Sequence, residues 1–409
     1  MTAITKATID FSDPTIQANP IPVYERLRAE APIMWNGSAQ GWLVSRYDDV
    51  VGLFNDPRMS SQRVDATFRP LPQDVQDELT PLKTVLLSRM LLSDPPRHTR
   101  LRSLVTKPFS AKASQGRRER IQAFCDSFID QVVERGGMDV MRDFAAPLPS
   151  WTIADTLGIP IENQEQFTQW AHDQVRVYDR PGTAHDRVVV MRQGQRAMLE
   201  MRAYMEGIIE DRRRDPQDDL LTMLVRAEAE GDRLSDDELI AMVVALLVGG
   251  NNSTAHAIGN SVLTFIRHPE ARNRLMREPD LIRPAIEEVL RFESPVQATS
   301  RVATAEIEIG GKIVQPGDNV SLLIGSANRD PVQFPDADMF QLDRHPNRHL
   351  TFAHGAHFCL GSALARNVTQ IATLTLLQRC PNIQLAADTA EWAEGFSFRS
   401  LKTLPVTFG

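Results

Sequence analysis

Cys359 is the residue whose type and setting point most directly to chemistry. It lies in Phe352-Ala353-His354-Gly355-Ala356-His357-Phe358-Cys359-Leu360-Gly361, just ahead of a run from Ser362 to Gln378 with helical character. A cysteine at the start of a helix gains from the helix dipole, which favours the thiolate, the form that binds metals. Gly355 and Gly361 leave room for a tight loop and for a bulky partner close by. A lone cysteine is more often a small buried hydrophobe, and Cys125 and Cys380 are read that way.

Three more groupings carry chemical content. Gly249-Gly250-Asn251-Asn252-Ser253-Thr254 interrupts a long apolar helical run. Mid-helix glycine costs about 1 kcal/mol relative to alanine, and buried Asn or Ser demands hydrogen-bond partners. The segment reads as a long helix opened locally to admit a flat ligand, in preference to two helices joined by a polar turn. Glu288 and Arg291, three apart, share a helix face and can pair. His98 and Arg102, four apart in Asp94-Pro95-Pro96-Arg97-His98-Thr99-Arg100-Leu101-Arg102, can both donate to one carboxylate.

With these residues in view, the chain resembles a bacterial cytochrome P450, a haem-thiolate monooxygenase, over nearly its whole length. Phe352-x-x-Gly355-x-His357-x-Cys359-x-Gly361 is similar to the family's haem-binding loop. The resemblance implies haem b as cofactor, Cys359 as its axial iron ligand, and Phe352 packed beside the thiolate. A thiolate pushes electron density onto iron and favours cleavage of the O–O bond. Ala353 departs from the glycine many members carry. The resemblance further implies that His98, Arg102, Arg301 and His357 hold the two haem propionates, and that Gly250 adjoins the cofactor. Glu288, Arg291 and Arg344, the last in Phe340-x-x-Asp343-Arg344, are implied to form a buried network supporting the fold behind the haem.

One departure bears on mechanism. Where the family usually reads Ala/Gly-Gly-x-Asp/Glu-Thr-Thr/Ser, this chain has Asn252 for the acid and Ser253 for the threonine. In the family, the acid–alcohol pair delivers the protons that let the O–O bond break heterolytically. Ser253 keeps a donating hydroxyl, whereas Asn252 can orient water but cannot titrate. Proton delivery is therefore expected through Ser253 and ordered water, with Thr254 or His256 assisting. Efficient use of hydrogen peroxide, which brings its own protons, is the competing expectation.

A substrate pocket is expected around Ala245 and Val248, about two turns and one turn before Asn252. By resemblance it also takes in Gln297, Ala298, Phe396 and Phe398. The stretches Ala66 to Leu92 and Gln169 to Val190, the second with Pro181-Gly182, read as irregular loops and helices forming an entrance lid. A mostly apolar pocket suits a small or medium apolar substrate.

The elements that must position these residues are mostly helical. Periodicity predicts helices over Ala113 to Glu134, Met198 to Arg213, Ser235 to Ile266, Glu270 to Arg277 and Pro284 to Phe292. Ser235 and Glu238 form a capping-box pattern at the start of the third, whose apolar run predicts burial nearly all round. Strands are predicted at Trp42 to Ser45, Val320 to Leu323 and Leu404 to Phe408. A hairpin pairs Ala305–Ile309 with Lys312–Val314 across Gly310-Gly311. The expected fold is mainly α with a minor β part, one haem-binding unit over 1–409 with a long central helix over the haem and no fused reductase or ferredoxin.

Composition narrows the class. With 45 Lys and Arg against 53 Asp and Glu, a net charge of −8 argues against nucleic-acid binding. Three cysteines are too few for a disulfide framework or, beside a haem ligand, for an iron–sulfur cluster. No basic-then-apolar leader opens the chain, and the longest apolar stretch is about half a membrane span. A cytoplasmic enzyme, free of membrane and nucleic acid, is the reading. Without a Gly-x-Gly-x-x-Gly fingerprint, electrons must come from outside, from a ferredoxin and its reductase. Lys107, Lys112, Arg117, Arg118 and Arg120 suit an acidic docking partner. The expected reaction inserts one atom of O2 into an organic substrate, by hydroxylation or oxidative O-demethylation. The alternatives are a peroxygenase and a non-catalytic haem-binding ligand sensor.

Overall fold

Ser235 and Glu238 do close a capping box. The Glu238 amide donates to Ser235 Oγ at 3.3 Å, and Glu238 Oε2 accepts from the Ser235 amide at 3.1 Å. From this cap the helix Asp236–Arg267 runs unbroken for 32 residues. Its first half is apolar on every face, and Leu239, Ile240, Ala241, Met242, Val243, Val244 and Leu247 are all buried. The helix is long and apolar enough to cross a membrane, but 61% of its apolar window is buried inside the protein. The two glycines and the polar run after them do not open it. Gly249 through Thr254 are α-helical like their neighbours.

The computed structural model describes residues 8–159, 164–177, 184–229, 232–386 and 390–408. The chain divides into two compact units that interleave along the sequence. One comprises Met1–Ser60, Arg117–Leu148 and Ser253–Gly409. Its five-stranded sheet has the order Ile33–Asn36, Gly41–Val44, Asn319–Leu322, Thr299–Ala303, Met59–Ser60. The pairings are antiparallel except Asn319–Leu322 against Gly41–Val44. Ile33, Val44, Val320 and Leu322 of this sheet are packed in one cluster with Val50 and Phe54 of the helix Tyr47–Asn55. The hairpin forms as predicted at its turn, with Gly310 and Gly311 at φ +52° and +72°; its first strand shortens to Ile307–Ile309, and its second, Lys312–Val314, has the predicted bounds. The predicted terminal strand shortens to Pro405–Thr407.

The helices Ile282–Phe292, Pro269–Arg277 and Ser362–Arg379 fall within a few residues of expectation. The helix predicted over Ala113 to Glu134 does not. It breaks at Gly116 and Arg117 into Ala111–Gln115 and Arg118–Asp130, because Ser110 caps a separate short helix through its hydroxyl and Gly116 ends it.

The second unit comprises Ser61–Gly116 and Pro149–Asn252. Val64, Phe68, Val75, Leu79, Leu82, Val85, Leu86, Met191 and Met198 make its core cluster. The helix predicted over Met198 to Arg213 extends to Ala184–Arg214. Gln169 to Val190 is more helical than its irregular reading, since Gln164–Arg176 is also a helix. Pro181 and Gly182 lie outside the described residues.

Candidate active site

The loop before the helix Ser362–Arg379 is shaped by glycine. Gly355 has φ +69°, and a Cβ there would lie 2.8 Å from Asn55 Oδ1 and 3.0 Å from the Phe54 carbonyl oxygen. No other residue fits without displacing that helix end. Ala353 also sits in the left-handed region, at φ +61°, with a Cβ that costs about 1–2 kcal/mol there. The loop then returns so that the Cys359 amide donates to the Phe352 carbonyl at 2.9 Å.

This fold leaves the Cys359 thiol exposed, while Cys125 and Cys380 are buried. Burial pushes both buried thiols above the usual cysteine range, as suits inert packing residues. Beside Cys359, Phe358 exposes 40% of its surface, and a Cβ at Gly361 would meet nothing within 4 Å. An exposed thiol flanked by an uncovered aromatic ring and an open glycine fits a broad apolar group carrying a thiolate-seeking metal. Phe352 itself is buried against the rings of His349 and Phe358.

Behind this loop the helix Ile282–Phe292 contributes Glu288, whose side chain is fully buried. Arg291 reaches both carboxylate oxygens at 2.8 Å, and Arg344 Nε lies 3.1 Å from each. Asn347 Nδ2 and the Gln341 amide donate as well. Arg291 spends its remaining N–H groups on the carbonyls of Asn328, Ala337 and Met339. The charge is fully paired, the condition on which a buried ion pair is tolerated.

Along Asp236–Arg267, Asn251 is buried and accepts from Ser150 Oγ at 2.7 Å. Gly250 turns to Ile153, whose Cδ1 would lie 2.3 Å from a Cβ there, whereas Gly249 faces open space. Asn252 and Ser253 are half-buried and Thr254 is buried. His256, one turn beyond Asn252, packs edge-on to Phe398 with ring centroids 5.8 Å apart. Its Nδ1 is buried without a hydrogen-bond partner, and burial lowers its pKa to about 4. It is a neutral imidazole at ordinary pH.

His98 and Arg102 lie on the helix Arg97–Val105, His98 buried and Arg102 half-buried. Between them, Arg100 binds Asp232 at 2.9 Å and pairs with Glu238, tying this helix to the capping box. Burial alone would raise the Glu238 pKa, but the hydrogen bonds from Arg100 and Ser235 bring it below the usual range. In the other unit Arg301 is buried in the strand Thr299–Ala303 with its guanidinium 5.5 Å from the Phe54 ring centroid. His357 is half-buried in the short turn Gly355–His357.

The expected pocket residues divide. Ala245 is half-buried and Val248 buried on the long helix. Gln297 is committed elsewhere: Tyr24 Oη donates to its Oε1 at 2.8 Å and its Nε2 donates to the Ser294 carbonyl at 2.7 Å. Ala298 belongs to the core cluster of Tyr24, Leu27, Leu43 and Leu323, with Phe396 packed on it and 4.3 Å from the Phe11 ring. Gln297 and Phe396 also line a cavity with Tyr24, Trp392 and Phe398, whereas Ala298 does not. Of the basic cluster, Lys107, Lys112 and Arg120 are exposed, while Arg118 donates to Asn367 at 3.1 Å.

Comparison with known proteins places this geometry. The family model for cytochrome P450 matches residues 78–389. The chain belongs to the cytochrome P450 family. It is 38% identical over 393 residues to the biotin biosynthesis cytochrome P450 of Bacillus subtilis, covering 95% of this chain and 96% of that one. It is 36% identical to the cytochrome P450 monooxygenase PikC of Streptomyces venezuelae, covering 95% and 91%. Among solved structures, P450BioI bound to an acyl carrier protein ligated with hexadec-9Z-enoic acid superposes with a TM-score of 0.89 at 36% identity, covering 97% and 99% of the two chains. This P450 is therefore an oxidoreductase with the P450 fold, of a family that uses haem b, takes electrons from redox partners and oxidises apolar substrates.

Sequence reasoning passed over Arg100, Asn251 and Glu287. The first two had no signal beyond a charge and a polar residue at helical spacing. Glu287 stands beside the recognised Glu288 and is taken up below.

Proposed function

We propose that this P450 is a single haem domain over 1–409 that inserts one atom of O2 into a small or medium apolar organic substrate, by hydroxylation or oxidative O-demethylation. The exposed Cys359 thiol at the head of Ser362–Arg379 carries this reading. Bound haem would supply the iron at which O2 is activated, O2 being the oxidant and the redox partner supplying two electrons, and the thiolate of Cys359 would supply the electron density that favours O–O cleavage. His98, Arg102, Arg301 and His357 neutralise its propionates, and Phe352 shields the sulfur.

Ser253 donates a proton from its hydroxyl, Asn252 orients the water that replenishes it, and Thr254 lines the same turn. His256, neutral and half-buried one turn on, assists as acceptor and donor. Val248 and Ala245 face the substrate. Electrons come from an external ferredoxin and its reductase, docked on the face bearing Arg117, Arg118 and Arg120 at the head of the helix Arg118–Asp130. Reduction rates that do not fall with added salt would remove that docking face. The enzyme works in the cytoplasm, without membrane or nucleic acid.

Asn252 supports one second reading, a peroxygenase, since peroxide carries its own protons. The test of substrate class is a Soret titration of the ferric protein with terpenoids, aromatic methyl ethers, aromatic acids and fatty acids, free and carrier-protein-bound. A shift to high spin with one class, followed by its turnover, is expected. Binding shifts without product under either ferredoxin or peroxide support would make the protein a ligand sensor instead.

A further inference from the structure

Glu287 is next to the buried Glu288 yet faces a different group of residues. It grips Arg366 through two hydrogen bonds, Nε to Oε1 at 2.8 Å and Nη2 to Oε2 at 2.9 Å. His349 Nε2 reaches Oε2 at 3.1 Å, while its Nδ1 accepts the Thr351 amide at 3.3 Å, which puts the proton on Nε2. Held this way, the Arg366 guanidinium lies over the Phe352 ring, 4.2 Å from its centroid. Phe352 in turn accepts the Cys359 amide through its carbonyl at 2.9 Å. Burial opposes ionisation of Glu287, but the hydrogen bonds from His349 and Arg366 outweigh it and hold its pKa at about 2.

A guanidinium over an aromatic face is attracted by the ring's negative face, and a bidentate carboxylate fixes the guanidinium's orientation. Thus a contiguous chain of contacts runs from the helix Ile282–Phe292 through Arg366 and Phe352 to the backbone of Cys359. Arg366 is also a positive charge seven residues along from Cys359, and Glu287 is the charge that balances it. Both side chains are largely shielded from solvent, 25% and 30% exposed, so their field is only partly screened.

We propose that Glu287 is a positioning residue that holds Arg366 over the Phe352 ring and offsets its charge, thereby setting the electron affinity of the Cys359-ligated haem. This rests on Cys359 being the axial ligand. Removing the negative charge leaves Arg366 uncompensated and favours electron uptake; removing the positive charge does the reverse.

The test is a dithionite titration of haem-loaded Glu287→Gln, Arg366→Met and the double variant, reading the ferric/ferrous midpoint. Glu287→Gln should shift the equilibrium toward the reduced form by about three- to tenfold, ~30–60 mV for a one-electron couple. Arg366→Met should shift it the opposite way, the double variant should lie near the parent, and Glu287→Asp should be nearest of the single variants. Shifts of the same sign in both single variants, no shift in either, or loss of haem from both would overturn the proposal and leave a purely structural pair. A parent protein that binds haem without thiolate ligation would instead overturn the reading of Cys359, a distinguishable result.

Discussion

The carboxylate of Glu288 is shared by Arg291 and Arg344, each of which touches both of its oxygens. Two guanidinium groups share one fully buried acid, which is the only carboxylate either of them contacts among the described side-chain hydrogen bonds. Replacing the acid strands two cations among carbonyls, and removing one partner of a buried pair costs about 3–5 kcal/mol. Glu288→Gln should therefore lower the urea midpoint by an amount of that size and reduce haem retention. A midpoint within about 0.5 kcal/mol of the parent would show that the network is dispensable.

Asn252 does not titrate and cannot act as an acid–base relay, and Asn252→Asp restores a group that can. The substitution should raise the fraction of reductant recovered in product several-fold and reduce peroxide-supported turnover. The measurement is product formed per reductant consumed, beside a peroxide assay. If neither value moves, position 252 has no part in proton delivery or oxidant choice.

His256 makes stability depend on pH. Its folded pKa of about 4 lies below the ordinary 6.5, so between those values the unfolded chain binds a proton that the folded chain excludes. Stability is lost as pH falls through this window, by up to about 3 kcal/mol from this group. His256→Gln should flatten the difference in urea midpoints between pH 7 and pH 4.5. Equal pH slopes in parent and variant would show an imidazole that titrates normally.

Ala353 holds φ +61° with a methyl group where glycine would be unstrained. Ala353→Gly should stabilise the protein by about 0.5–1 kcal/mol, the relief of strain exceeding the added freedom of the unfolded chain and the small loss of packing. Thermal melting of the two proteins decides it. A lower melting temperature in the variant would mean that the methyl's packing outweighs the strain.

The parts of this molecule legible in the sequence are those fixed by local rules. The Gly310-Gly311 turn, the Ser235–Glu238 box and the apolar run after it each carry their own instruction, and each appears in the structure. The Glu288 network was readable because its motif was. The break at Gly116 was missed because the local end of the short helix Ala111–Gln115 at Gly116 left the apolar periodicity of the flanking residues intact. The contacts of Gln297 with Tyr24 and of Phe396 with Phe11 were not legible, because these partners lie hundreds of residues away in sequence. Glu287 was hidden for the same reason, since its partners His349 and Arg366 lie 62 and 79 residues along.

The most direct measurement is the absorption spectrum of the reduced, carbon monoxide-treated protein beside Cys359→Ala. The parent should show the red-shifted band from which the family takes its name, and Cys359→Ala should lack it while staying folded. A haem-loaded parent without the band, or a variant that keeps it, would contradict Cys359 as the axial ligand.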